Sequence, residues 1–237
     1  MSQDSLSLIL SNCQAVIFDL DGVIADTEPL KFAAYQAVFR EAYGVELPAE
    51  DVAWRGMKEQ SVIAYWFNKF QLTGEPEQLI QAKRAAYHSF LEKGQISPVP
   101  GVVEFVHYLE SSQKRRGVAT SSSRQEALTV LKSLGLAIAF NAIATRDDVQ
   151  QLKPHPEVYL KVASTLGVSP SECVVFEDSQ SGVRAAKAAG MFCVGVLTSF
   201  SSADLAHADR TIANFTELIH ENSGGDPGSI CSPTVAW

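Results

Sequence analysis

Residues 15–23 read AVIFDLDGV, and this stretch decides how the rest of the sequence is interpreted. The first four residues are all apolar, which is typical of a strand buried on both faces, as in a parallel sheet. Asp19 and Asp21 follow at once, at the edge where open α/β sheets bind ligands. Two adjacent carboxylates repel each other unless a cation lies between them, which predicts a hard metal such as Mg²⁺. The alternative is a plain strand followed by a polar Asp-Gly turn.

The composition is that of a soluble globular protein. Of the 237 residues, 46% are hydrophobic and 19% are charged, enough for one sizeable domain or a domain with an insertion. The net charge of −8 argues against a nucleic-acid or membrane partner. No stretch approaches the ~20 apolar residues of a membrane span. The N-terminus lacks a signal peptide's basic region, and the four cysteines form no CxxC pair. We therefore expect a cytoplasmic protein, a monomer, with reduced cysteines.

Short apolar runs alternate with helical patterns along most of the chain. The runs that predict strands are residues 15–18, 117–120, 142–144, 173–176 and 192–197. Apolar residues at helical spacing occupy the stretches between them, at 103–111, 125–134, 156–166 and 181–189. Such alternation indicates βαβ units. We therefore predict an α/β fold with a doubly wound, mainly parallel, Rossmann-like sheet.

One segment interrupts this alternation. Between residues 28 and 93 only helical patterns occur, at 30–43, 60–70 and 77–91. We expect a helical cap domain at 28–94, inserted into a core domain formed by 1–27 and 95–220. Residues 221–237 are rich in Gly, Ser and Pro, which predicts a poorly ordered tail.

Polar residues follow four of the predicted strands, where parallel strands end at one edge of the sheet. In chain order they are Asp19 and Asp21, then Thr120, Ser121 and Ser122, then Lys153, then Glu177 and Asp178. This set suits phosphoryl transfer, because a carboxylate can attack phosphorus while lysine, hydroxyls and a metal stabilise the transferred charge. Each group alone has a simpler interpretation, as a helix cap or a surface lysine.

Four motifs carry a family resemblance. They are DLDGVIADTEP from residue 19, VATSSS from 118, LKPHPEVY from 152 and FEDSQSGVRAAKAAG from 176. In this order the chain resembles the haloacid dehalogenase (HAD) superfamily, in the subgroup of β-phosphoglucomutase and sugar-phosphate phosphatases. That subgroup carries its helical cap at the position of the insertion seen here. The tail and most of the cap match no motif.

The resemblance implies a role for each core residue. Asp19 would be the nucleophile and a Mg²⁺ ligand. Asp21 would be the general acid and base, and would offer the metal its backbone carbonyl. Thr120, Ser121 and Ser122 would bind the phosphoryl group, and Lys153 would neutralise the charge around the nucleophile. Glu177 and Asp178 would complete the metal site, Glu177 either directly or through water.

The cap residues distinguish phosphatase from mutase. β-Phosphoglucomutases carry a hinge histidine where this chain has Lys31, and a phosphate-binding arginine near the position of Glu59. Arg55 and Lys58 flank that position and are the candidate substrate-binding cations of the cap. Arg124 is a further cation that could supply charge to a distal phosphate.

We therefore expect a Mg²⁺-dependent phosphatase that acts on a small phosphorylated metabolite, a sugar phosphate above all, through an aspartyl-phosphate. The alternative is a phosphohexomutase of the β-phosphoglucomutase type. A more remote one is a catalytically silent binding protein. The acid at position 21 disfavours dehalogenase and phosphonatase chemistry, whose enzymes lack it.

Overall fold

The computed structural model describes residues 6–55, 57–93 and 96–222. At its centre is a six-stranded, all-parallel sheet with the strand order β5-β4-β1-β6-β7-β8. A separate two-stranded antiparallel ribbon joins β2 to β3. The strands are β1 (Ala15–Phe18), β2 (Ala25–Asp26), β3 (Ser97–Pro98), β4 (Arg115–Ala119), β5 (Ala142–Ala144), β6 (Cys173–Glu177), β7 (Phe192–Val196) and β8 (Arg210–Ile212).

Helices cover both faces of the sheet. Alternate residues of β1 face opposite layers: Val16 and Phe18 pack in one hydrophobic cluster, while Ala15 and Ile17 pack in the other. The first cluster includes α1, α5, α6 and α9, and the second includes α7 and α8. The helices are α1 (Leu6–Asn12), α2 (Glu28–Tyr43), α3 (Glu59–Phe70), α4 (Pro76–Glu92), α5 (Val102–Ser111), α6 (Arg124–Ser133), α7 (Glu157–Leu166), α8 (Gln180–Ala188) and α9 (Thr216–Asn222).

The predicted fold class is confirmed, because the sheet is parallel, doubly wound and covered by helices. All five predicted strands are present, and β4 begins and ends earlier than the predicted run 117–120. The sixth strand, β8, was missed: its three residues include Arg210 and Thr211, so it has no apolar run to reveal it. Helices α1 and α9 were also missed, each with only seven residues.

Helices α2, α3 and α4 form a layer with its own hydrophobic cluster, which we call the helical insert. Phe39, Ile63 and Trp66 are fully buried in that cluster. The insert leaves the sheet next to β2 and returns at β3, so the ribbon joins its two connections. The boundaries predicted for the cap and core domains stay a prediction.

The poorly ordered tail predicted for 221–237 stays a prediction. Helix α9 extends to Asn222, so residues 221 and 222 are helical. The remainder of that segment, 223–237, lies outside the described residues. No helix in the described ranges is long and apolar enough to cross a membrane.

Candidate active site

Asp19 and Lys153 meet at the carboxyl edge of the sheet. Asp19 directly follows β1, and Lys153 reaches it from the segment between β5 and α7. The Lys153 Nζ donates hydrogen bonds to Asp19 Oδ1 at 2.5 Å, to Glu177 Oε1 at 2.7 Å and to the Ala119 carbonyl at 3.0 Å. Residues distant in sequence therefore form one buried ionic cluster.

Burial and charge set the pKa of the Asp19 carboxyl. Burial raises this pKa to about 7, Lys153 opposes the rise, and the charges of Glu177 and Asp21 add to it. For Lys153, burial alone would lower the pKa, but the two carboxylates it contacts raise it above its usual value. Lys153 therefore carries a full positive charge, but this charge only partly offsets the burial of Asp19 and the repulsion from its neighbouring carboxylates. An added cation would stabilise the ionised form of Asp19.

Asp21 is held at both carboxylate oxygens. Thr27 Oγ1 donates to Oδ1 at 2.5 Å and Ser122 Oγ donates to Oδ2 at 2.6 Å. From the helical insert, Lys31 Nζ lies 3.4 Å and the Tyr87 hydroxyl 3.5 Å from Oδ1. Burial would raise the pKa of Asp21, but Lys31 and the hydrogen bonds together lower it. The two neighbouring acids thus differ in chemistry: Asp19 is the more basic carboxylate and Asp21 the better-stabilised anion.

Asp178 completes an arrangement of hard oxygen donors. Burial raises its pKa well above the usual value, and the charges of Glu177 and Asp19 raise it further. Ser199 Oγ donates to its Oδ2. Gly22 makes room for it: Gly22 has φ of +79°, and a Cβ there would lie 1.9 Å from Asp178 Oδ2. The backbone after Asp21 thus closely approaches this carboxylate.

Glu177 is fully engaged by the protein. Its Oε1 accepts from Lys153 and from the Tyr159 hydroxyl at 2.8 Å, while its Oε2 accepts from the backbone N–H and the hydroxyl of Ser179 at 2.9 and 3.0 Å. The side chain is completely buried. A Cβ on Gly182 would lie 1.6 Å from Oε1, so α8 also approaches closely. These contacts place Glu177 behind Lys153.

The hydroxyl-rich loop after β4 leads into α6. Ser123 caps that helix in a capping box with Glu126: Ser123 Oγ accepts from the Glu126 N–H, and Glu126 accepts from the Ser123 N–H. Thr120 is buried, and its Oγ1 accepts from the Ser122 N–H at 3.0 Å. Since the Ser122 hydroxyl donates to Asp21, Thr120 and Ser121 are the residues of this loop left to bind a ligand. The helix-cap interpretation of the loop is thus confirmed, and its role as an anion site stays a prediction.

A cavity of about 370 Å³ lies between the sheet edge and the helical insert. It is lined by ten of the eleven predicted site residues: Asp19, Asp21, Lys31, Arg55, Thr120, Ser121, Ser122, Lys153, Glu177 and Asp178. Lys58 does not line it; this residue directly precedes α3 and is exposed, so its prediction as a substrate-binding residue is not supported. Arg124 does not line it either, because its guanidinium donates to Asp148 at 2.6 Å.

Further residues line the cavity that were not predicted as site residues. Among them are the aromatic residues Tyr35, Trp54 and Tyr87 and the charged residues Glu28, Glu59, Lys83, Arg84, Glu126 and Arg146. Trp54 packs on Tyr35 and also lines the cavity. These residues share no motif. A weak signal lies in α4, where Lys83 and Tyr87 are one turn apart on one face and both are buried.

A carboxylate at the end of the first strand, an adjacent acid, a hydroxyl loop and a buried lysine around one cavity define an enzyme of phosphoryl transfer. The similarity of the chain to known proteins agrees with this class of enzyme. The family model for haloacid dehalogenase-like hydrolases matches residues 16–196. The chain belongs to that family, and it is a phosphohydrolase or phosphomutase.

Similar proteins include both activities. The chain is 38% identical to the phosphorylated carbohydrates phosphatase of Thermotoga maritima over 184 residues, which cover 75% of this chain and 82% of the relative. It is 30% identical to the beta-phosphoglucomutase of Bacillus subtilis over 224 residues, which cover 88% of this chain and 94% of the relative. Among solved structures, a putative beta-phosphoglucomutase from Thermotoga maritima superposes with a TM-score of 0.74 at 32% identity. The superposition covers 88% of this chain and 98% of that structure's chain.

Proposed function

We propose that this protein is a Mg²⁺-dependent phosphatase of a small phosphorylated metabolite, a sugar phosphate in particular, and that it works through an aspartyl-phosphate on Asp19. The observation that carries the proposal is the position of Asp19 beside the charged Lys153, with Asp21 at the same edge of the cavity. The similarity to a phosphatase of phosphorylated carbohydrates supports the substrate class.

In the proposed first step, Asp19 attacks the phosphorus of the ester. Lys153 binds Oδ1, which orients the carboxylate and leaves Oδ2 as the attacking atom. The P–O bond to the alcohol breaks as the Asp19 Oδ2–P bond forms. Asp21 gives a proton to the leaving oxygen, so it must enter this step protonated although its pKa is lowered in the substrate-free site. Lys153, the Thr120 hydroxyl and the Ser121 backbone stabilise the charge on the transferred group.

In the second step, Asp21 acts in the opposite direction. As a carboxylate it accepts the proton of an incoming water, whose oxygen attacks the phosphorus and releases inorganic phosphate and free Asp19. The hydrogen bonds from Thr27 and Ser122 hold both oxygens of Asp21 in place during this exchange. The same group thus serves as acid and then as base.

The residues present fit a magnesium ion. No three side chains of His, Cys, Asp or Glu in the described part of the chain form a ready metal site. Mg²⁺, however, takes oxygen ligands, including carbonyls, and keeps several waters. We propose that Asp19, Asp178 and the Asp21 carbonyl hold it, with Glu177 acting through water, since both Glu177 oxygens are occupied. When bound, the ion would neutralise charge on the phosphoryl oxygens.

The helical insert would act as a lid over the cavity. Tyr87 and Lys31 reach Asp21 from α4 and α2, and Arg55 enters the cavity from the segment before α3. A lid that closes over such a site excludes bulk water and positions the substrate. We propose that the insert, the predicted cap, selects the substrate while the sheet edge performs the chemistry.

Two substitutions test the proposal. Asp19→Asn should abolish turnover of a panel of phosphate esters in Mg²⁺, because an amide is not a nucleophile of this kind. Asp21→Ala should slow ester turnover severely, because the leaving alkoxide then receives no proton. Turnover that is unchanged in Asp19→Asn would falsify the nucleophile assignment, and near-normal rates in Asp21→Ala would remove its acid–base role.

A phosphohexomutase is the second candidate, favoured by the similarity to beta-phosphoglucomutase over almost the whole chain. Incubation with β-glucose 1-phosphate and a trace of the 1,6-bisphosphate separates the two activities. A phosphatase releases inorganic phosphate, whereas a mutase forms glucose 6-phosphate without such release. Absence of Mg²⁺-dependent turnover of every ester would instead favour a silent binding protein.

A further inference from the structure

Three cations in the insert half of the cavity, Lys31, Lys83 and Arg84, are already paired with carboxylates, whereas Arg55 lines the cavity with no ion pair to a described residue. Glu59, the first residue of α3, accepts a hydrogen bond from Lys83 Nζ at 3.1 Å on Oε1. On Oε2 it accepts from Nε and Nη2 of Arg84 at 2.9 and 2.6 Å. Lys31 donates to Glu28 Oε1 at 3.1 Å. Each lysine and arginine of α2 and α4 that lines the cavity is thus engaged by a glutamate, within the described residues.

The position of Lys83 makes Glu59 necessary. The Lys83 side chain is only 8% exposed, and its ammonium lies over the rings of Tyr35 and Tyr87, 5.0 and 5.2 Å from their centroids. A buried cation needs a counter-charge. Glu59 supplies it and at the same time occupies the fork of Arg84, the geometry with which an arginine binds a phosphate.

Apart from Arg55, the rest of this half suits hydroxyl groups better than an anion. Tyr35 and Trp54 present aromatic surface, with their rings 5.7 Å apart. Glu28 Oε2 is buried and accepts no hydrogen bond from the described residues. A carboxylate oxygen in that state is satisfied by a hydroxyl donor, whereas a phosphate dianion would be repelled by Glu28 and Glu59 alike.

We infer that the insert half of the cavity binds the uncharged, hydroxyl-bearing part of a phosphomonoester, and that Glu59 excludes a second phosphate from it. The inference rests on the proposed phosphatase function, because the first phosphate is assigned to the Asp19 end of the cavity. It makes Glu59 a specificity-determining residue, and it favours sugar monophosphates over sugar bisphosphates as substrates.

The test compares sugars that differ by one phosphate: fructose 1-phosphate and fructose 6-phosphate against fructose 1,6-bisphosphate. Binding is measured by calorimetry and turnover by phosphate release, in Mg²⁺. The proteins are wild type, Glu59→Gln and the control Glu46→Gln, which neutralises an exposed glutamate of the insert connections paired with Arg40. Circular dichroism establishes that each variant is folded.

We expect wild type to prefer a monophosphate over the bisphosphate by about tenfold or more. Glu59→Gln removes the negative charge that neutralises Lys83 and Arg84, so bisphosphate binding should tighten by about tenfold, and Glu46→Gln should behave as wild type. Wild type that binds the bisphosphate at least as tightly as either monophosphate overturns the inference, and this arm needs no variant. The inference is also overturned if Glu59→Gln is folded and binds the bisphosphate no more tightly than wild type. Failure of the proposed function looks different, because no ester is then turned over, while the binding comparison still decides the inference.

Discussion

Removal of Lys153 is expected to perturb the ionic cluster at the sheet edge strongly. Its Nζ joins Asp19 Oδ1 at 2.5 Å to Glu177 Oε1 at 2.7 Å, and its side chain is only 4% exposed. The two carboxylates are also enclosed, with side-chain exposures of 10% for Asp19 and 0% for Glu177. Lys153→Met keeps most of the side-chain volume and removes the charge, so that two buried carboxylates face each other without a counter-ion.

The expected loss of stability follows from this burial. Removing one partner of a buried ion pair costs about 3–5 kcal/mol of unfolding free energy. Because the pKa of Asp19 is already raised to about 7, a proton can replace part of the lost charge, so we expect about 3 kcal/mol near pH 7.5 and less at pH 6. Turnover should fall by about 10²–10³-fold, the effect of losing one charged group that stabilises a transition state.

Urea denaturation in EDTA measures the first effect, and phosphate release in Mg²⁺ measures the second. Lys187→Met is the matched control, because the Lys187–Asp209 pair is 38% and 29% exposed and should be worth less than about 1 kcal/mol. The double variant Lys153→Met with Glu177→Gln should regain stability, since one of the two uncompensated charges is gone. If Lys153→Met is no less stable than the Lys187 control and keeps wild-type turnover, the ionic cluster does not work as described.

Three further predictions concern the same edge of the sheet. Thr27→Val removes the buried donor to Asp21 and should lower kcat by about 10–100-fold, with Thr27→Ser close to wild type in the same phosphate-release assay. Gly22→Ala forces a Cβ against Asp178 at a φ of +79°, and should lower stability in urea and weaken Mg²⁺ binding in calorimetry. Finally, the folded state raises the pKa of Asp19 from 3.8 to about 7, so between these pH values the folded protein binds more protons than the unfolded chain. The free energy of unfolding in EDTA should therefore fall as the pH rises from about 4 to about 7, and added Mg²⁺ should reverse this fall. A free energy of unfolding that does not change over this pH range contradicts the assigned cause.

The sequence predicts the parts of the site that follow strands. An uninterrupted apolar run locates β1, β5 and β6, and parallel strands end at a common edge, so Asp19, Lys153 and Asp178 could be expected to meet before any coordinates were known. The edge strand β8 could not be predicted, since an outer strand needs fewer apolar residues and this one has three residues in all.

The insert was harder to predict because its contacts join distant helices. Glu59 lies at the start of α3 and its partners Lys83 and Arg84 lie in α4, and no local pattern says which turn of one helix faces the other. The same limit explains why Lys58 and Arg55 were ranked together although only Arg55 reaches the cavity. The direction of a side chain depends on how the helices of the insert pack, and the spacing of residues in the sequence does not reveal that packing.

Asp21 shows how the two layers of the molecule divide their work. Its short hydrogen bonds, 2.5 and 2.6 Å, come from Thr27, the N-cap residue between β2 and α2, and from Ser122 in the loop after β4. Its contacts with Lys31 and Tyr87, at 3.4 and 3.5 Å, come from the helical insert and are too long to fix its position. Movement of the insert that leaves its connection at Thr27 in place would therefore keep the carboxylate where it is and change the charge around it. The sheet edge sets where the proton is handled, while the insert sets the electrostatic surroundings in which the proton leaves.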